Sequence, residues 1–176
     1  GDIASGSRFA KAIEDGVADS ALLAVVTDAY SSRSWCRREV LFAKRHQRPF
    51  VIVDALRERE IRRFPYAGNA PVLRWRDDPR DVVDSLLRET LRHAYAEEML
   101  RQRARPGDDI LPSGPELVTV VHRDKAKPIL YPDPPLGSEE LAVLSLAGVS
   151  VETPLERHAK AHDLRAHQLL VALSIS

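Results

Sequence analysis

The stretch from Tyr30 to Asp54, reading YSSRSWCRREVLFAKRHQRPFVIVD, constrains the fold of this chain more than any other. Tyr30-Ser31-Ser32 reads as a loop, Arg33 through Gln47 has helical spacing, and Pro49 leads straight into the apolar run Phe50-Val51-Ile52-Val53. Residues four apart share a helical face. Trp35 and Glu39 therefore stack one turn apart beside the loop, while Cys36, Val40 and Ala43 form the stripe turned toward a sheet. The preceding run, Leu22-Leu23-Ala24-Val25-Val26-Thr27, is almost wholly apolar, as expected of a strand covered on both faces. Open parallel sheets bind ligands outside the carboxyl ends of their strands, and Glu39 lies one helical turn beyond such an end.

These residues resemble a known family. Ser34-Trp35-Cys36-x-x-Glu39, after a strand ending in Thr27-Asp28 and a Tyr30-Ser31-Ser32 loop, is similar to the signature of the TIR domain. The resemblance runs from Gly1 to about Arg105. It implies a flavodoxin-like α/β fold with a parallel sheet, and Glu39 as the catalytic glutamate of the TIR enzymes that cleave NAD+. Gly1-Asp2-Ile3-Ala4-Ser5-Gly6 looks like the tail of the loop that follows the second strand in that family, so the first strands are expected to be missing from this sequence. The resemblance further implies Asp2, Gly6, Arg8, Phe9, Ser31, Arg33 and Trp35 as substrate-binding residues. NAD+ enters as substrate and no cofactor is implied. Homo-oligomeric TIR-TIR contacts complete the site in that family, and its bacterial members act in antiviral immunity.

Composition narrows the partners. Lys+Arg and Asp+Glu number 26 each in 176 residues, which offers no argument for nucleic acid or an anionic membrane. Locally the balance breaks: between Arg33 and Arg48 six basic residues meet the single acid Glu39, a solvated helix face or an attractor of pyrophosphate or of an acidic partner. The single cysteine, Cys36, excludes an intrachain disulfide and suits a cytoplasmic setting. No apolar run approaches the ~20 residues that cross a bilayer. His158 and His162 stand four apart, but no acid or cysteine completes a metal site, so no metal is expected.

Further along, Phe9, Ala10, Ile13 and Val17 recur at helical spacing. Val72-Leu73-Arg74-Trp75 reads as a short edge strand. Asp77-Asp78-Pro79 opens a helix running to about Arg105, with Val82, Val83, Leu86, Leu87, Thr90, Leu91 and Ala94 as its apolar stripe. From residue 106 to 168 prolines crowd the text, and a Pro-rich α+β extension is expected: strands at Leu117–Val121 and Pro128–Tyr131, then a helix from Ser138. Residues 169–176 read as a buried parallel strand opening a further α/β domain. Their text is weakly similar to the start of a SLOG domain, which would bind a nucleotide second messenger.

Two other classes compete with an NAD+-cleaving enzyme. One is a non-catalytic TIR scaffold that only self-assembles. The other is an unrelated flavodoxin-like domain: a deoxyribosyltransferase using Glu39 as nucleophile, or a response-regulator-like module needing an acidic pocket from Asp28 and Asp54.

Overall fold

The computed structural model describes residues 16, 20–30, 32–57 and 64–162. The chain divides into two compact units, Gly1–Tyr95 with Val118–His122, and Ala96–Leu117 with Arg123–Ser176. Both are α/β and each contains a small parallel sheet.

In the first unit β1 (Leu22–Val26), α1 (Ser34–Arg45), β2 (Phe50–Asp54), β3 (Val72–Arg74) and α2 (Pro79–Arg103) follow in that order, α2 continuing into the second unit. The sheet order is β1-β2-β3, with Leu22 opposite Phe50 and Ile52 opposite Val72. Central β2 is apolar over four consecutive residues because both its faces are covered: Phe50, Val51, Ile52 and Val53 are all buried. Each such side chain contributes about 1.5–3 kcal/mol relative to exposure. β3 lies at an edge of this sheet, as its length suggests.

The turn from α1 into β2 follows from hydrogen bonding. Gln47 takes a left-handed conformation (φ 56°), and its N–H donates to the Lys44 carbonyl while the Arg48 N–H donates to the Ala43 carbonyl. This pair of bonds satisfies the last helical carbonyls and reverses the chain. Pro49 then enters the strand, its carbonyl accepting the Leu22 N–H.

Two expectations about these elements change. β1 is not covered on both faces: Ala24 and Val26 are buried, whereas Leu23 and Val25 are 38% and 44% exposed, the alternation of a strand with one open face. On α2 the apolar arc is wider than the buried one. Val82, His93, Ala96 and Leu100 are buried along one line, which leaves Val83, Leu87 and Leu91 exposed a third of a turn away.

The second unit holds β4 (Asp109–Ile110), β5 (Ile129–Leu130), α4 (Ser138–Leu146) and β6 (Val151–Glu152), followed by a helix, α5, over residues 154–162. Its sheet is parallel in the order β4-β5-β6, so this region is α/β rather than α+β. Leu117–Val121 is not a strand. Residues Leu117–Val120 form a single helical turn, α3, whose Val118–Val120 fall in the first unit, with Thr119 and Val120 buried. Val118, Thr119 and Val120 favour strand by propensity, and tertiary context overrides that preference here. Their ladder place beside β5 belongs to Asp109–Ile110.

Gly148 ends α4 at φ 74°, and the Gly148 and Val149 N–H groups return to the Ser145 and Leu144 carbonyls. That conformation strains any residue with a Cβ, and glycine makes the short step into β6 feasible. After β5 the chain runs through Pro132–Gly137, pinned by Tyr131: the Leu136 N–H donates to its buried hydroxyl at 2.7 Å. Tyr131→Phe removes that acceptor without changing shape. It is expected to lower stability by about 1 kcal/mol in urea denaturation; an unchanged midpoint would show that the bond contributes nothing net.

The strongest polar feature of this unit is internal. Arg157 of α5, 8% exposed, donates two hydrogen bonds to Asp108 and one to Glu152, which also accepts from Lys160. None of the described helices is long and apolar enough to cross a membrane.

Candidate functional site at the carboxyl edge of the first sheet

The loop between β1 and α1 is two turns in succession. The Tyr30 N–H donates to the Thr27 carbonyl and the Arg33 N–H to the Tyr30 carbonyl. Ser32 Oγ adds a bond to the Ala29 carbonyl at 2.8 Å. The chain thus reverses immediately after the strand, and the first turns of α1 stand beside the carboxyl end of β1.

Val40 and Ala43 of α1 are fully buried and Cys36 is half-buried, which fixes the rotation of the helix as its spacing predicts. Glu39 is held as a consequence on the flank between sheet and solvent, half-buried. Burial raises its pKa above the usual glutamate value. Among the described residues Glu39 has no ion-pair partner, although its helix is rich in arginine. The reason is directional. Arg37, Arg38 and Arg45 line a separate cleft of about 380 Å³ with Leu41, Phe42 and Tyr66, and the Arg38 guanidinium lies 5.5 Å from the Trp35 ring centroid.

Tyr30, in the loop before α1, is a neighbour of Glu39. Its ring packs edge-on against Phe64 at 5.3 Å, and Phe64 meets Tyr66 at 5.6 Å, an aromatic chain joined to the core beneath the loop. Burial, with Cys36 and Glu39 nearby as further acidic groups, holds the Tyr30 phenol protonated far above its ordinary range. Glu39 and a neutral phenol therefore share one electrostatic environment. The clue was available, because Tyr30 ends the turn that Thr27 begins, but its aromatic partners lie more than thirty residues downstream.

The remaining expected site residues separate as follows. Trp35 is 41% exposed at the rim of α1, and Arg33 is the exposed residue preceding its first turn. Asp2, Gly6, Arg8, Phe9 and Ser31 lie outside the described residues, as do the helix expected around Phe9–Val17 (except Gly16) and the strand expected at 169–176. Asp28 and Asp54 each accept a hydrogen bond from loop backbone. Asp28 Oδ1 accepts the Arg57 N–H at 3.2 Å and Asp54 Oδ1 accepts the Leu56 N–H at 3.1 Å, so both carboxylates fasten the loop after β2. His158 and His162 meet edge to face with ring centroids 4.6 Å apart, and among the described residues no group of histidine, cysteine and acidic side chains could hold a metal ion.

Chemically, the arrangement supplies one half-buried carboxylate, without an ion-pair partner among the described residues, beside a strand end. Such a group can accept hydrogen bonds from a ligand's hydroxyls and can stabilise a positive charge developing above it. No family model, curated protein or solved structure matches the chain.

Proposed function

We propose that this chain is a TIR-type NAD+ glycohydrolase with a flavodoxin-like first unit, in which Glu39 is the catalytic carboxylate. The observation that carries the reading is Glu39 itself: half-buried, raised in pKa and without an ion-pair partner among the described residues, at the carboxyl edge of a parallel sheet. The Ser34-Trp35-Cys36-x-x-Glu39 register adds the family resemblance.

The chemistry suits a single carboxylate. The bond between nicotinamide and ribose is N-glycosidic, and the nicotinamide nitrogen is already cationic. When the bond breaks, its electron pair leaves with the ring as neutral nicotinamide, and no acid is needed to protonate the leaving group. The sugar carbon becomes oxocarbenium-like, is captured by water, and the water's proton passes to solvent. Glu39 accepts hydrogen bonds from the ribose hydroxyls and sets negative charge beneath the developing cation, the logic of glycoside hydrolysis with one acid role deleted. Asp2, Gly6, Arg8, Phe9, Ser31, Arg33 and Trp35 are proposed to bind the rest of the dinucleotide.

A purely scaffolding TIR domain would share the fold and release no nicotinamide.

Assembly through head-to-tail TIR contacts, in a bacterial antiviral and cytoplasmic setting, belongs to the same proposal. Nicotinamide release per molecule is therefore expected to rise with protein concentration. A rate strictly proportional to enzyme across a wide dilution series would exclude gating by assembly.

A further inference from the structure

The second unit carries a cavity of about 540 Å³, within the size range of small-ligand sites. Its charged lining falls into two groups. Arg157 and Asp133 are already engaged: Arg157 with Asp108 and Glu152, and Asp133 with the Leu155 N–H at 3.3 Å. Arg103 and Arg105 are less committed: the charge of Arg105 helps hold the Asp108 carboxyl low, but without an ion pair. Both are exposed on the cavity wall, and among the described residues neither has an ion-pair partner. The one side-chain bond of Arg103 is to Met99 Sδ, a weak acceptor. His158 stands on the same wall, exposed.

The same lining also carries apolar side chains. Leu155 is 59% exposed there, next to Pro154. Two guanidinium groups without ion pairs and an exposed leucine on one lining, with the Asp133 carboxylate among them, ask for a ligand with an anionic end and an apolar body. The two forks match a dianion with three acceptor oxygens better than a single carboxylate, which one fork satisfies. We propose that this cavity binds a phosphate monoester of mononucleotide size, its phosphate on Arg103 and Arg105 and its flat body against Leu155 and Pro154. This site is separate from the one around Glu39 and stands independently of it.

The test is calorimetric titration of the whole chain with AMP, adenosine and inorganic phosphate as probes. AMP is expected to bind, with adenosine and inorganic phosphate each at least ~10-fold weaker, because each retains only one half of the recognition. Arg103→Gln with Arg105→Gln, both on exposed side chains, is expected to weaken AMP by at least ~10-fold with the circular dichroism spectrum unchanged. Leu155→Ser is expected to weaken AMP and leave inorganic phosphate as it was. Glu39→Ala is expected to leave AMP affinity unchanged. The proposal is overturned by absence of AMP binding into the millimolar range, by unchanged affinity in the double arginine variant, or by inorganic phosphate binding as tightly as AMP.

Discussion

Replacing Glu39 with alanine is expected to reduce nicotinamide release by at least ~10²-fold in kcat, the scale seen when a single preorganised transition-state stabiliser is removed. The variant should fold, because Glu39 is only half-buried and alanine is the best helix former. Glu39→Gln separates charge from shape and makes a sharper case. Burial raises the Glu39 pKa above its unfolded value, so this group favours the fold only while protonated. That contribution is complete below the unfolded pKa and is lost as pH rises through the folded one. At neutral pH the ionised carboxylate is thus a burden on stability, as expected of a group selected for chemistry. Glu39→Gln should raise Tm in scanning calorimetry at pH 7 while abolishing nicotinamide release. A variant with lower Tm and retained activity would reverse the assignment on both counts.

The second large effect belongs to the other unit and to stability. Arg157 and Asp108 have side chains 9% and 4% exposed, so removing either leaves the other as a buried charge with its main partner gone. Asp108→Ala or Arg157→Ala is expected to lose about 3–5 kcal/mol, measured by urea denaturation. The pairs Arg80–Asp78 and Arg88–Asp84 on α2 are solvated, and their removal should be hard to detect. The pH dependence has the opposite sign to that of Glu39. The hydrogen bond from Arg157 holds Asp108 below its usual value, and Lys160 followed by Arg157 does the same for Glu152. Carboxylates with depressed folded pKa values contribute stability that is present above their unfolded values, 3.8 and 4.5, and is lost as pH falls through the folded ones. The deficit of Asp108→Asn relative to the parent should therefore be full at pH 7 and shrink below about pH 4. A deficit constant down to pH 2 would show that packing, not the charge pair, is what the substitution removes.

How much of this was legible in the sequence depended on the range of the cause. α1 and β2 were readable because their signals are local: the apolar stripe of Cys36, Val40 and Ala43, and Pro49 ahead of four buried residues. The helix starting at Ser138 was readable for the same reason, with Glu140 bonding back to the Gly137 N–H. Leu117–Val121 misled because a β-branched run prefers strand by local propensity, whereas the single helical turn that forms answers to tertiary context, which no local rule reports. The exposure of Val83, Leu87 and Leu91 was hidden likewise, since periodicity marks an apolar arc but not which part of it is covered. At the candidate site Glu39 stood out through its register, whereas Tyr30 did not, because Phe64 reaches it from a distant segment. Arg157 was invisible as a buried cation: only the fold brings Asp108 to it across 49 residues.

The central claim is that the Glu39 carboxylate supports cleavage of the nicotinamide-ribose bond. Its most direct test is to incubate the concentrated protein with NAD+ and quantify free nicotinamide across pH, beside Glu39→Gln. The account predicts release by the parent protein, with an acid limb lying above the ordinary glutamate pKa, and no release by the variant. Equal release by both proteins, or none from the parent at any concentration or pH, would contradict it.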